Sequence, residues 1–183
     1  MAIAQITRKV LDQLQARIKP GKENERTAGY LRALVIGSVA GMRATLPLTL
    51  LAWEKDPRKH DTLLPSRVLD TQAARIITTT ASVGEIIADK LPFIPSRLAP
   101  RGFIGRLITG GLAGTIIAYR FRESPVLGAL LGGSAAGFGA VAGYHSRQWL
   151  DEHTPIPDPV WGVVEDAVAV SLGLLAVRET IPL

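Results

Sequence analysis

Eight charged residues stand inside or at the edge of otherwise apolar stretches of this sequence. They are Arg43, Arg75, Glu85, Asp89, Arg106, Arg147, Glu165 and Asp166. In a polar cavity such carboxylates bind a cation or exchange protons, and the arginines act as counter-charge or contact an anion. Paired with one another, the same residues form a salt-bridge layer that keeps helices in register and moves no ion. Both interpretations fit the residue types.

No other residue pattern predicts a reaction. The chain has no cysteine, which excludes disulfides, thiolate metal sites and cysteine nucleophiles. His60, His145 and His153 lack the spacing of a metal site, and no catalytic triad order, phosphate loop or dinucleotide fingerprint is present. We expect neither an enzyme nor a bound cofactor or metal. The net charge of +5 comes without a basic run interleaved with aromatics, so we expect no nucleic-acid partner.

Five segments are long enough to cross a membrane as helices, which takes about 20 residues. Segments A (27–52), C (102–119), D (125–146) and E (159–177) are apolar. Segment B (66–91) carries polar residues every three or four positions, on one helical face; they are Thr71, Arg75, Thr78, Ser82, Glu85 and Asp89. Either this stripe faces the bundle interior, a partner or water, or segment B lies along the membrane surface.

The depth of each charge follows from a helical rise of about 1.5 Å per residue. Four of the charges fall in one layer, roughly 7 to 10 Å inside the membrane; they are Glu85, Arg106, Glu165 and Asp166. Arg43 and Arg75 fall nearer the middle. Pro47 is expected to kink segment A and to free a carbonyl beside Arg43, which would make the outer half of that segment irregular.

Short glycine motifs occur three times, as GSVAG (37–41), GGLAG (110–114) and GSAAG (133–137). Small residues four positions apart allow membrane helices to approach closely. The predicted packing residues are Gly37, Gly41, Gly110, Gly114, Gly133, Gly137 and Gly143. Stretches 33–48 and 129–144 share seven of sixteen residues, and each precedes an acidic segment. Segments A–B and D–E are therefore candidates for inverted repeats about segment C.

The first 24 residues differ from the rest. Ile3, Ile6, Val10, Leu14 and Ile18 recur at helical spacing, with basic residues elsewhere, which predicts an amphipathic helix on a membrane surface or against a partner subunit. Residues 25–183 then form a multi-pass transmembrane domain. Five crossings with the N-terminus inside leave ten lysines and arginines on inner segments and seven on outer ones, a small excess in the direction of the positive-inside rule.

Four stretches resemble one protein family. They are GSVAGMRATLPL, SVGEIIADKLPFIPSRLAPRGFIGRLITGGLAG, GAVAGYHSR and VEDAVAV, and they resemble small bacterial membrane proteins grouped as Domain of Unknown Function 4126. The resemblance covers roughly residues 30 to 177 and implies a multi-pass protein of the bacterial cytoplasmic membrane. It implies no reaction, cofactor or substrate. It singles out the charges above except Arg75, together with Pro47, Lys90, Pro92 and Arg97.

Together these observations predict an all-α integral membrane bundle of about five glycine-packed helices. We expect a small transporter or channel for an ion or small polar solute, acting as a homo-oligomer or beside a membrane partner subunit. The alternative is a non-transporting scaffold or accessory subunit whose glycine-rich faces bind partner proteins, lipid or pigment.

Overall fold

The computed structural model describes residues 22–54, 64–88 and 99–178. Within these ranges all regular structure is helical. The helices are α1 (Lys22–Met42), α2 (Leu46–Trp53), α3 (Leu64–Leu69), α4 (Gln72–Ala88), α5 (Pro100–Arg120), α6 (Pro125–His153) and α7 (Asp158–Val177). The predicted amphipathic helix at the N-terminus and Asp89 lie outside the described residues.

Three helices are long and apolar enough to cross a membrane. They are Pro100–Arg120, Pro125–His153 and Pro159–Val177, with mean hydropathies of 1.3, 1.6 and 1.8. They correspond to segments C, D and E. A fourth apolar stretch, Thr27–Met42, is shorter. The described chain is thus an all-helical bundle with the composition of an integral membrane protein.

Segment A is not one helix. The first helix ends at Met42, and the residues from Arg43 to Thr45, here called the tip, are not helical. The second helix begins at Leu46 with Pro47 in its first turn. Proline suits this place because the first residues of a helix need no N–H bond within the helix. Pro47 therefore starts a new helix instead of kinking an existing one.

The chain reverses direction at the tip. Leu46 shares a buried cluster with Val39, whereas Leu51 shares one with Ala33 and Ile36. In one straight helix Leu51 would lie about 22 Å beyond Ile36. Helices α1 and α2 therefore form a hairpin. We call the two ends of the bundle the tip end and the open end, the latter being where α1 begins and α2 finishes.

The later helices run alternately between these ends. Helix α4 starts at the open end, where Arg75 Nε donates to Ala52 O at 3.0 Å, and it reaches the tip with Glu85. Helix α5 returns, so that Phe121 lies under the Arg32 guanidinium with 5.2 Å between the group and the ring centre. Helix α6 runs to the tip end and α7 comes back, ending beside Arg32.

The contacts between α1 and α6 do not fit the predicted inverted relation of segments A and D. Gly37 of α1 lies against Gly132 of α6, and Gly41 lies against Ala136 and Gly139, so α1 and α6 run parallel. Inverted repeats would make them antiparallel. The hairpin brings the chain back to the end where α1 begins. As a result, α1 begins and α7 finishes at the same end of the bundle, whereas an odd number of straight crossings would put them at opposite ends.

Glycines bring α1, α5 and α6 into backbone contact. A Cβ added to Gly37 or Gly110 would overlap the backbone of Gly132, and one added to Gly114 would overlap that of Gly128. The sequence pointed to Gly133 and Gly137 on α6, but a Cβ on Gly133 would meet its nearest atom, Leu107 O, at an ordinary 3.5 Å. Helix α6 carries glycines on two adjacent faces, and the motif alone does not select between them. Gly143 instead lines a cavity described below.

Neighbouring glycines of α6 give a matched test of this packing. We expect Gly132→Ala to lower the melting temperature of the detergent-solubilised protein by several degrees, since overpacking costs about 1–3 kcal/mol. Gly133→Ala should leave it unchanged or slightly higher, because alanine is the better helix former. Equal melting temperatures for the two variants would contradict the contact surface described here.

Candidate functional site at the hairpin tip

Glu85 of α4 binds the peptide groups of the tip. Its Oε1 accepts a hydrogen bond from Ala44 N at 2.8 Å, and its Oε2 accepts from Thr45 N at 3.0 Å and from Thr45 Oγ1 at 2.8 Å. The first N–H groups of a helix have no partner within it, and the partial positive charge there favours a carboxylate. Glu85 thus caps the start of α2 from a different helix.

Three ion pairs surround this cap. Arg106 Nη2 of α5 lies 3.6 Å from Glu85 Oε1. Arg43 Nε at the tip lies 2.5 Å from Asp166 Oδ1 of α7. Arg147 Nη1 of α6 lies 3.8 Å from Glu165 Oε2 of α7. A layer of six charges therefore joins the tip to α4, α5, α6 and α7, and all its side chains are less than one-fifth exposed.

Arg43 is the most enclosed member of the layer. Its side chain is 2% exposed, and it heads the fully buried side chains by volume. A charge at membrane depth is costly by about 3 kcal/mol or more unless it is paired. The contact with Asp166 supplies a pair, and it ties the tip to α7.

Arg75 does not belong to this layer. Its Nη2 lies 2.9 Å from Asp70 Oδ1, and its guanidinium carbon is 5.9 Å from the centre of the Trp53 ring, at the open end. The depth estimate placed Arg75 level with Arg43 because it treated segment A as one straight crossing. The reversal at the tip separates the two arginines.

The polar stripe of α4 faces α2. Thr49 Oγ1 donates to Thr78 O at 2.9 Å, and Ser82 Oγ lies 3.0 Å from Thr45 Oγ1 and 2.8 Å from Thr49 Oγ1. Between membrane helices such hydrogen bonds replace the missing hydrophobic drive. The apolar residues of α4 point outward, with Ile76, Ile77, Val83 and Ile87 at least half exposed.

Sequence reasoning missed the buried Arg32. Its Nη1 donates to Leu175 O at 2.8 Å, Ala176 O at 3.1 Å and Arg178 O at 2.8 Å. The last carbonyls of a helix have no partner within it, so Arg32 closes the end of α7. No spacing rule could have found this contact, because its partners lie more than 140 positions away in the chain.

A cavity of about 430 Å³ opens between α6 and α7. Its walls are mostly apolar and include Phe138, Trp161 and Val164, while Arg147 and Glu165 stand at its polar part. Such a lining suits an apolar chain more than a hydrated ion. Among the residues the structure describes, no group of histidine, aspartate and glutamate could hold a metal ion.

Removing one partner of the buried Arg43 pair should be strongly destabilising. We expect Asp166→Asn to lower the stability of the solubilised protein by about 3–5 kcal/mol, because it leaves the arginine charge without its carboxylate. Asp151→Asn, at an exposed position near the end of α6, is the matched control and should change nothing. Thermal unfolding in detergent measures both, and an unchanged Asp166→Asn protein would show that the pair contributes nothing.

Residues 31–181 match the family described as Domain of unknown function (DUF4126). Neither a curated protein nor a solved structure matches the chain. The matched range includes the hairpin tip, all six charges of the layer and the glycine contacts of α1, α5 and α6. The resemblance drawn from the sequence is confirmed: the chain belongs to the DUF4126 family.

Proposed function

We propose that this protein moves an ion or small polar solute across the membrane, with Glu85 as the central group. The observation that carries the proposal is the broken helix at the tip, whose N–H groups bind the Glu85 carboxylate inside a layer of charges. Non-helical backbone at membrane depth is tolerated where it is enclosed by protein or lines a cavity. The ends of broken helices bind ions and substrates in many secondary transporters.

Glu85 is a carboxylate, and we therefore propose a proton or a small cation as the transported species. The layer contains three arginines and three carboxylates, so a cation that binds there competes with an arginine for a carboxylate. A cation bound to Glu85 would compete with Arg106 and with the three hydrogen bonds that hold the tip. The tip would then separate from α4, and the layer would open to the other side of the membrane.

Flux through proteoliposomes tests this function. We expect liposomes containing the full chain to dissipate an imposed gradient of protons, Na⁺ or K⁺ faster than protein-free liposomes. Glu85→Gln should lower that rate at least tenfold, because glutamine keeps the shape of the side chain without its charge. Glu152→Gln, at the exposed end of α6, is the control and should keep the full rate.

Two results would contradict the transport proposal. One is a full-chain rate equal to that of empty liposomes for every ion tested. The other is a Glu85→Gln rate equal to the unaltered rate, provided that both proteins elute as folded, monodisperse particles.

A second candidate is a non-transporting scaffold that binds lipid. The cavity between α6 and α7 favours it, because an apolar cavity beside membrane helices suits an acyl chain. The glycine-rich faces favour it less, since Gly37, Gly110 and Gly114 already contact α6 within the chain. A lipid scaffold would leave the ion pairs as a structural layer.

Adjacent valines of α7 separate this candidate from transport. Val164 lines the cavity and Val163 does not, although both are exposed. We expect Val164→Trp to fill the cavity and to lower the lipid retained by the purified protein, as measured by native mass spectrometry. Val163→Trp should retain as much lipid as the unaltered chain, and equal retention by both variants would contradict a lipid site there.

A further inference from the structure

We infer that the open end of the bundle is its cytoplasmic face, and that the charge layer lies in the half of the membrane away from the cytoplasm. This orientation of the chain in the bilayer is compatible with either candidate function.

The reversal at the tip sorts the connecting segments into two sets. The start of α1, the segment that joins Glu54 to Leu64, the turn between α5 and α6, and the end of α7 all attach at the open end. The segment that follows Ala88 and the turn between α6 and α7 attach at the tip end. With one straight helix in place of α1 and α2, every segment after the first would change sides.

Basic residues divide very unequally between these sets. Twelve lysines and arginines belong, by their place in the sequence, to the segments joined to the open end: Arg8, Lys9, Arg17, Lys19, Lys22, Arg26, Lys55, Arg58, Lys59, Arg67, Arg122 and Arg178. Three belong in the same way to the segments joined to the tip end: Lys90, Arg97 and Arg101. The five-crossing arrangement divides the same fifteen residues nine to six, without Arg120 and Arg147. The hairpin thus turns a weak asymmetry into a strong one.

Cytoplasmic loops carry an excess of lysine and arginine, and it is these residues, not net charge, that set orientation. The anionic headgroups of the cytoplasmic leaflet attract each of them by about 1 kcal/mol. An excess of nine basic residues at one end is therefore a strong bias. It places the open end on the cytoplasmic side.

The levels at which the helices contact one another also give the depth of the tip in the membrane. Gly29 of α1 lies level with Phe121, at the last turn of α5, and Arg43 is fourteen residues further along. A helical rise of 1.5 Å puts the tip about 21 Å from the level of Gly29 and Phe121, where α5 ends, in a hydrocarbon core about 30 Å thick. Glu85 and its partners then lie closer to the outer surface, so a solute from outside reaches them by the shorter path.

Single cysteines test the orientation, since the natural chain has none. Thr62→Cys and Thr180→Cys lie in segments attached at the open end, and Glu152→Cys lies at the tip end. Each full-length variant is expressed in cells and treated with a membrane-impermeant maleimide, before and after permeabilisation. We expect Glu152→Cys to label at least tenfold more than the other two in intact cells, and all three to label equally after permeabilisation.

Each other pattern overturns the inference. Labelling of Thr62→Cys in intact cells, with Glu152→Cys protected, would mean that segment A crosses the membrane once or that the whole bundle is inverted. Equal labelling of all three in intact cells would mean that the basic residues do not orient the chain. The flux experiment is independent of these results, because reconstituted protein is assayed in both orientations.

Discussion

Backbone hydrogen bonding at the hairpin tip is the constraint on which the rest of this structure depends. A helix that breaks at membrane depth leaves peptide N–H groups that no water or lipid can satisfy. Here Ala44 and Thr45 donate to one carboxylate, Glu85, supplied by α4. That carboxylate needs a counter-charge of its own, which explains why Arg106 of α5 lies beside it. The break therefore accounts for the contact of α4 with the tip and for the ion pair between Glu85 and Arg106.

Glycine packing makes room for this arrangement. Helices α1 and α5 each contact α6 through backbone atoms, because Gly37, Gly110, Gly114, Gly128 and Gly132 lack side chains at the crossings. Larger apolar residues such as Ile36 and Ile116 form a buried cluster beside these crossings. Arg147 and Glu165 of the charge layer line the mostly apolar cavity between α6 and α7.

The same contacts bear on stability and on the proposed transport. Pairs such as Arg43 with Asp166 satisfy charges that would otherwise be expensive in a membrane. Glu85 differs, because its three hydrogen bonds hold the chain at a reversal of direction, and the ionised carboxylate is the stronger acceptor. Loss of the Glu85 carboxylate would therefore act on the position of the whole hairpin.

The sequence alone was enough to identify an all-helical membrane bundle, its family and segments C, D and E. It also singled out Glu85, Arg106, Glu165 and Asp166, which the structure places in ion pairs with arginines or carboxylates. These follow from local properties: hydropathy over about 20 residues, helical periodicity and residue type. The tertiary structure decided that segment A is a hairpin, that Arg75 lies apart from Arg43, and that Gly128 and Gly132 form the packing face. In the sequence, Pro47 is compatible with a kinked helix and with a reversal of chain direction. The reversal is established by two sets of contacts, those of Glu85 with the tip and those of Leu51 with Ile36. These contacts join residues that are separated in the chain, so local sequence patterns do not predict them.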